Sequence, residues 1–102
     1  MGMGFAMQQY IGASKWEIDT PALCLDAAAL EGNIARMAAF FEGRPAALRP
    51  HAKTHKCPTI AWMQLSAGAI GITCAKLGEA EVMAQAGIGD ILIANQIIGP
   101  KI

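Results

Sequence analysis

The side chains best suited to catalysis or ligand binding lie in one basic stretch, residues 49–56, which read RPHAKTHK. In an extended chain alternate side chains point to the same side, so Arg49, His51 and Lys53 share one face. Residues 44–77 hold five Lys or Arg residues, two His and no carboxylate. Burying such groups is costly outside a functional site. The pattern therefore indicates an anionic partner (a cofactor phosphate, a substrate carboxylate, or acidic residues of missing sequence), or else a solvated basic edge strand.

Lys53 is the candidate for covalent chemistry. A lysine at the carboxyl end of a barrel strand is well placed to form a Schiff base, because catalytic groups of barrels come from strand ends. The neighbouring cations Arg49 and Lys56 would lower its pKa and so raise the neutral fraction that attacks a carbonyl. His51 and His55 are four residues apart, the spacing of a metal pair on a helix. Since the pattern places them on a strand and a loop, the sequence predicts no metal site there.

The elements that position these residues alternate between two types. The sequence predicts strands at residues 21–26, 47–53, 70–75 and 90–96, and helices at residues 30–41, 58–67 and 78–86. We expect Asp26 to cap the first helix. A βαβαβαβ order implies a parallel sheet, because each helix returns the chain to the same edge. A doubly wound open sheet and part of a (β/α)8 barrel both satisfy this order.

The regular spacing of the elements favours the barrel, and the length indicates that it is incomplete. The predicted units repeat every twenty-odd residues, and a complete barrel needs about 250 residues, whereas this chain has 102. We therefore expect an α/β fold that is the N-terminal part of a truncated (β/α)8 TIM-type barrel. Residues 1–16 show no regular periodicity and are predicted to form a flexible N-terminal tail. Residues 17–102 are predicted to form the barrel portion.

Composition excludes several classes of protein. Eight basic and eight acidic residues cancel, so the overall charge gives no argument for nucleic acid or an acidic membrane. The longest uncharged apolar run, residues 67–75, is too short to span a bilayer. The three cysteines lack C-x-x-C spacing, which disfavours a disulfide framework and a zinc site. With no secretion signal at the start, we expect a cytoplasmic protein.

Several motifs together resemble the D-threonine aldolase and D-serine dehydratase-like family. The most specific is the basic stretch at residues 48–57, LRPHAKTHKC. The others are IDTPAL at residues 18–23, GITC at 71–74 and DILIANQ at 90–96. The resemblance covers about residues 17–101, nearly the whole chain.

This resemblance implies a fold-type III enzyme that depends on pyridoxal 5′-phosphate (PLP), with an alanine-racemase-like barrel followed by a C-terminal β domain. Lys53 would form the Schiff base with PLP, and His51 and Arg49 would belong to the pocket wall. Similar enzymes cleave D-3-hydroxy amino acids to glycine and an aldehyde, or eliminate water from D-serine or D-hydroxyaspartate. They also use a divalent metal, whose ligands lie in the C-terminal domain and so outside this chain.

Other functions of the same fold remain open. A non-enzymatic PLP-binding protein and an amino-acid racemase are the alternatives to a lyase. The expected partner is a small D-amino acid substrate, and an incomplete barrel with exposed strand edges could also form homodimers. Because most of the site would lie in missing sequence, we expect the 102-residue chain alone to have little or no turnover.

Overall fold

The computed structural model describes residues 8–101 of the chain. Its helices and strands are α1 (Ala27–Phe41), α2 (Pro58–Ser66), β1 (Ile72–Cys74), α3 (Leu77–Gln85) and β2 (Ile91–Ile93), with 3₁₀ turns at Lys15–Glu17 and Gly99–Lys101. The chain falls into two compact units, one up to Leu30 and one from Glu31 onward. The described residues contain no helix that is both long and apolar enough to cross a membrane.

The three predicted helices are confirmed, and their ends have the expected local causes. Asp26 caps α1, since its Oδ1 accepts a hydrogen bond from the Ala29 amide at 3.0 Å. Pro58 opens α2, where the missing N–H of a proline costs nothing. After α1 and α3 the chain reverses at Gly43 (φ +71°) and Gly87 (φ +92°), in the left-handed region that glycine tolerates best.

The first unit contains a predicted strand that is wrong. Residues 21–26 form no strand, and Leu23 is fully exposed rather than buried. A strand requires a neighbour that pairs with its backbone N–H and C=O groups, and residues 8–30 of this unit include no other strand. The predicted tail at residues 1–16 lies partly outside the described residues, which begin at residue 8. Its flexibility stays a prediction.

The second unit contains a small parallel sheet. β1 pairs with β2 in parallel, with Ile72 opposite Ile91, Thr73 opposite Leu92 and Cys74 opposite Ile93. The predicted strand at residues 47–53 is reduced to a single parallel bridge between His51 and Thr73. Pro50 explains the reduction, because it has no N–H to donate to the ladder. The parallel α/β arrangement is confirmed, and the full barrel stays a prediction.

The core of this unit lies between one face of the sheet and helices α2 and α3. Its side chains are all less than a tenth exposed: Ala52, Ala61, Ile72, Cys74, Ala80, Met83 and Ile88. Ile91 and Ile93 of β2 pack against this cluster. Because strand side chains alternate, residues 51, 73 and 92 point to the opposite face. That face carries two residues of note, the predicted site residue His51 and the half-exposed Leu92.

Candidate functional site

Lys53 lies just beyond the carboxyl end of the segment that bridges to β1. The residue before it, Ala52, is 1% exposed and belongs to the core, whereas Lys53 is exposed. No carboxylate of the described residues forms a salt bridge with the Lys53 amine. The lysine is therefore anchored through its neighbour while its side chain stays open to solvent, at the edge where α/β folds bind ligands.

A tight turn fixes the backbone around Lys53. The Lys56 amide donates to the Ala52 carbonyl at 2.7 Å, and the Lys53 amide donates to Nδ1 of His51 at 3.2 Å. Lys56 has a φ of +50°, a left-handed conformation that a non-glycine residue adopts only where its surroundings impose it. The predicted site residue His51 thus contacts the backbone of Lys53 directly.

His55 holds the loop that follows the turn. Its Nδ1 accepts a hydrogen bond from the Cys57 amide at 2.9 Å, and its Nε2 lies 3.3 Å from Oε1 of Gln64 in α2. Because Nδ1 accepts, Nε2 is the nitrogen that donates to the carboxamide oxygen of Gln64. His55 therefore ties the loop to the start of α2, and both of its ring nitrogens are engaged there.

A groove of about 670 Å³ opens at the carboxyl ends of β1 and β2. Polar and charged side chains line part of it, namely Lys56, Lys76, Glu79, Glu81, Asn95 and Gln96. Glu79 and Asn95 are held in place in this groove by hydrogen bonds to the backbone of Ala75. The Ala75 amide donates to Oε1 of Glu79 at 3.1 Å, and the Ala75 carbonyl accepts from Nδ2 of Asn95 at 2.8 Å.

Glu79 affects a second residue, the buried cysteine of β1. Burial raises the pKa of the Cys74 thiol, and the negative charge of Glu79 raises it further. Cys74 is therefore a thiol rather than a thiolate at neutral pH, which suits its place in the core. Glu79 is not among the site residues predicted from the sequence. Its position in the first turn of α3, directly after a predicted strand, was the available signal.

Arg49 lies away from Lys53, at the amino end of the strands. Its Nη1 is 2.7 Å from Oδ1 of Asp90 and 3.4 Å from the carbonyl oxygens of Ile72 and Asp90. The anion that balances this cation is thus a residue of the chain itself, outside the carboxylate-free region at residues 44–77. Asp90 is not among the predicted site residues, although it begins the strand predicted at residues 90–96 and so lies at the same end of the sheet as Arg49. The structure joins His51 to Lys53, and joins Arg49 to Asp90.

Sequence comparison places the chain among named proteins. It is 52% identical over 83 residues, 81% of its length, to a D-threonine aldolase from Arthrobacter sp.. It is 36% identical over 99 residues, 96% of its length, to a 3-hydroxy-D-aspartate aldolase from Paracoccus denitrificans. No protein-family model matches the chain.

Comparison with solved structures gives the same result. The crystal structure of D-threonine aldolase from Filomicrobium marinum superposes on 80% of the chain, with a TM-score of 0.77 and 51% sequence identity. D-threo-3-hydroxyaspartate dehydratase from Delftia sp. HT23 covers the same 80%, with a TM-score of 0.76 and 43% identity. The chain belongs to the D-threonine aldolase-like family.

This membership confirms the resemblance carried by the motifs. The chain spans about a quarter of the length of the aldolases it matches, 22% of one and 26% of the other. In this family member the three conspicuous motifs of the second unit meet at one small sheet. The basic stretch supplies the bridge at His51, GITC supplies β1 and DILIANQ supplies β2. The family resemblance and the local geometry therefore concern the same residues.

Proposed function

We propose that this chain supplies the lysine-bearing, N-terminal part of a PLP-dependent lyase that acts on D-3-hydroxy amino acids. The observation that carries the proposal is the placement of Lys53, an exposed amine held by a rigid turn at the carboxyl end of a parallel segment. The names of the relatives support the substrate class, because they are aldolases and a dehydratase of D-threonine or of 3-hydroxyaspartate.

The described residues fit PLP at one point. The Lys53 amine has the exposure that condensation with an aldehyde requires, and the ring of His51 lies beside the Lys53 backbone. When bound, PLP would supply an electron sink for bonds broken at the substrate's α-carbon. In the proposed site Lys53 Nζ would hold the cofactor, and the same amine, once released from it, would carry a proton to or from the reacting carbon, while His51 fixes the backbone of Lys53.

Arg49 fits PLP less well than the other two predicted residues. Its guanidinium is engaged by the Asp90 carboxylate, so a cofactor phosphate would have to displace that ion pair. The divalent metal is proposed to bind elsewhere in a longer chain. Among the described residues, no group of three His, Cys, Asp or Glu side chains could hold a metal ion.

Reductive trapping tests the proposal. The chain is incubated with PLP, reduced with borohydride and digested, and the labelled lysines are identified by mass spectrometry. We expect the label on Lys53, and we expect its loss in Lys53→Arg, which keeps the charge but has no reactive amine. Lys56→Arg is the matched control, since Lys56 belongs to the same turn, and it should leave the label in place. Preferential labelling of Lys56 or Lys76 in the unaltered chain would refute the assignment of Lys53.

Activity of the chain alone gives a second measurement. We expect neither glycine nor an eliminated product from D-threonine, D-serine or D-3-hydroxyaspartate with PLP and a divalent metal, because the chain spans only 22% of a D-threonine aldolase. The same assay on a longer family protein that contains this sequence should yield glycine or an eliminated product. Turnover by the purified 102-residue chain would contradict the view that other segments complete the site.

A further inference from the structure

An ion pair crosses the amino end of the small sheet. Arg49 precedes the bridge residue His51, and Asp90 immediately precedes β2, so the two side chains meet from segments on either side of β1. Arg49 Nη1 lies 2.7 Å from Oδ1 of Asp90. The same nitrogen lies 3.4 Å from the Ile72 carbonyl oxygen and from the Asp90 carbonyl oxygen. One guanidinium therefore contacts the first residue of β1 and the residue just before β2.

Gly71 makes this crossing possible. A Cβ atom at residue 71 would collide with Nη1 of Arg49, and it would lie 2.5 Å from the Asp90 carbonyl oxygen and 2.9 Å from its carboxylate carbon. Two of these three contacts involve the ion pair itself, and the third involves backbone that cannot rotate away. The absence of a side chain at Gly71 is thus a steric requirement for the ion pair. It is not a requirement of an unusual φ angle, since φ of Gly71 lies outside the left-handed region.

The segment that carries Lys53 has few other ties to the sheet. Three backbone hydrogen bonds join it to β1 and its flank: Ile70 N to Leu48 O at 3.0 Å, Thr73 N to Pro50 O at 2.8 Å and Ala52 N to Thr73 O at 2.7 Å. The Thr73 hydroxyl adds one weaker bond, donated to the Arg49 carbonyl at 3.4 Å. Pro50 donates none, because it has no amide hydrogen. The missing ladder bond lies beside Arg49, so the guanidinium supplies a link where the backbone has none. Without that link a short segment with one bridge is held in its register less firmly.

We infer that Arg49 is a positioning residue, which, paired with Asp90 over the bare backbone of Gly71, fixes the register of residues 48–53 against β1. Register decides which residue of the segment enters the core. In the observed register Ala52 is buried and Lys53 is exposed just beyond the carboxyl end of the bridged segment. A slip of one residue could bring Lys53 into the core position that Ala52 now fills. The effect on Lys53 rests on the proposed function, but the effect on register does not.

Hydrogen exchange of single amides tests the register directly. The Ala52 and Thr73 amides report on pairing between the segment and β1, and the Ala94 amide, bonded to the Cys74 carbonyl at 3.0 Å, reports on the β1–β2 pair at the other end. In Gly71→Ala we expect the first two amides to exchange about tenfold faster or more, the change typical of overpacking a tight site. In Arg49→Met we expect about threefold, because the pair is partly exposed. Ala94 should change least.

Matched controls separate this effect from general destabilisation. Gly89→Ala introduces the same methyl group beside Asp90, at a glycine with open space around it, and should leave all three amides unchanged. Arg36→Met removes an exposed arginine of α1 and should also have no effect. Arg49→Lys keeps the charge but loses the planar fork that reaches several oxygens, so its exchange rates should fall between those of Arg49→Met and the unaltered chain.

The trapping experiment then links register to the lysine. Arg49→Met should shift borohydride labelling from Lys53 toward Lys56, while Arg36→Met should keep the original distribution. If the unaltered chain is not labelled at Lys53, the proposed function fails and the exchange data still decide the role of Arg49. If Gly71→Ala does not fold, Arg49→Met decides alone. Unchanged Ala52 and Thr73 exchange in Arg49→Met overturns the inference.

Discussion

The two faces of the small sheet differ in what holds their residues in place. On the face covered by α2 and α3, Ile72 and Cys74 are fully buried and Ala52 is 1% exposed. On the opposite face, Thr73 is buried (8% exposed), but Leu92 is 51% exposed and His51 is partly exposed. Burial fixes the first face, since each apolar side chain there is removed from water. Hydrogen bonds and an ion pair position the residues of the second face, and the predicted site residues belong to that face.

The two faces of the sheet therefore place different requirements on their residues. A residue such as Ala52 only has to be small and apolar to fill its place in the core. The next residue in the chain, Lys53, must present an amine at a defined position, and it obtains that position from the burial of Ala52 and from the turn closed by Lys56. A rigid apolar face is therefore what makes the reactive face well defined, as functional sites in general require.

The largest expected effect is on the covered face. Ile72→Ala removes a fully buried side chain from the centre of the core and leaves a cavity, so we expect the free energy of unfolding to fall by about 2–5 kcal/mol. Denaturant titration followed by circular dichroism measures this change. Val82→Ala in α3, whose side chain is 51% exposed, is the control and should change the midpoint much less. Equal losses in the two variants would show that Ile72 is not in a packed core.

A smaller effect involves the thiol of the same face. Burial, and then the charge of Glu79, raise the pKa of Cys74, so the folded chain binds this proton more tightly than the unfolded chain. The resulting stabilisation is fully present below the unfolded pKa and is lost as pH rises through the folded pKa. We expect the free energy of unfolding to decline above the ordinary thiol pKa, and to decline less in Cys74→Ala. A parallel decline in both variants would assign the effect to other groups.

The sequence predicts the three helices and the strands β1 and β2 well because both kinds of element have local signals. Asp26, Pro58 and Gly87 act within one turn of chain, and their roles as cap, start and stop are visible without tertiary information. The run at residues 21–26 has the composition of a strand, yet a strand also requires a partner. No pattern within six residues reveals whether that partner exists.

The site is predicted in part for the same reason. Lys53 and its contact His51 follow from the alternation of an extended segment, which is a local property. The partner of Arg49 does not, because Asp90 lies 41 residues further along the chain and reaches it only through the parallel pairing of three segments. The role of Gly71 is harder still to foresee, since it depends on two side chains from other segments that meet above its backbone.

The smallest expected effect is on the open face and bears on the predicted barrel. Leu92→Ser replaces a half-exposed side chain, so in this chain we expect the free energy of unfolding to change by about 0.5 kcal/mol or less. A closed barrel fills its interior with layers of side chains from alternate strands. In a longer family protein that completes such a barrel, Leu92 would be buried and the same substitution should cost several times more. Paired denaturant titrations of the two proteins, with Val82→Ala as the common reference, measure the difference. An equally small effect in both proteins would mean that Leu92 stays exposed in the longer protein. The prediction of a closed barrel would then be wrong.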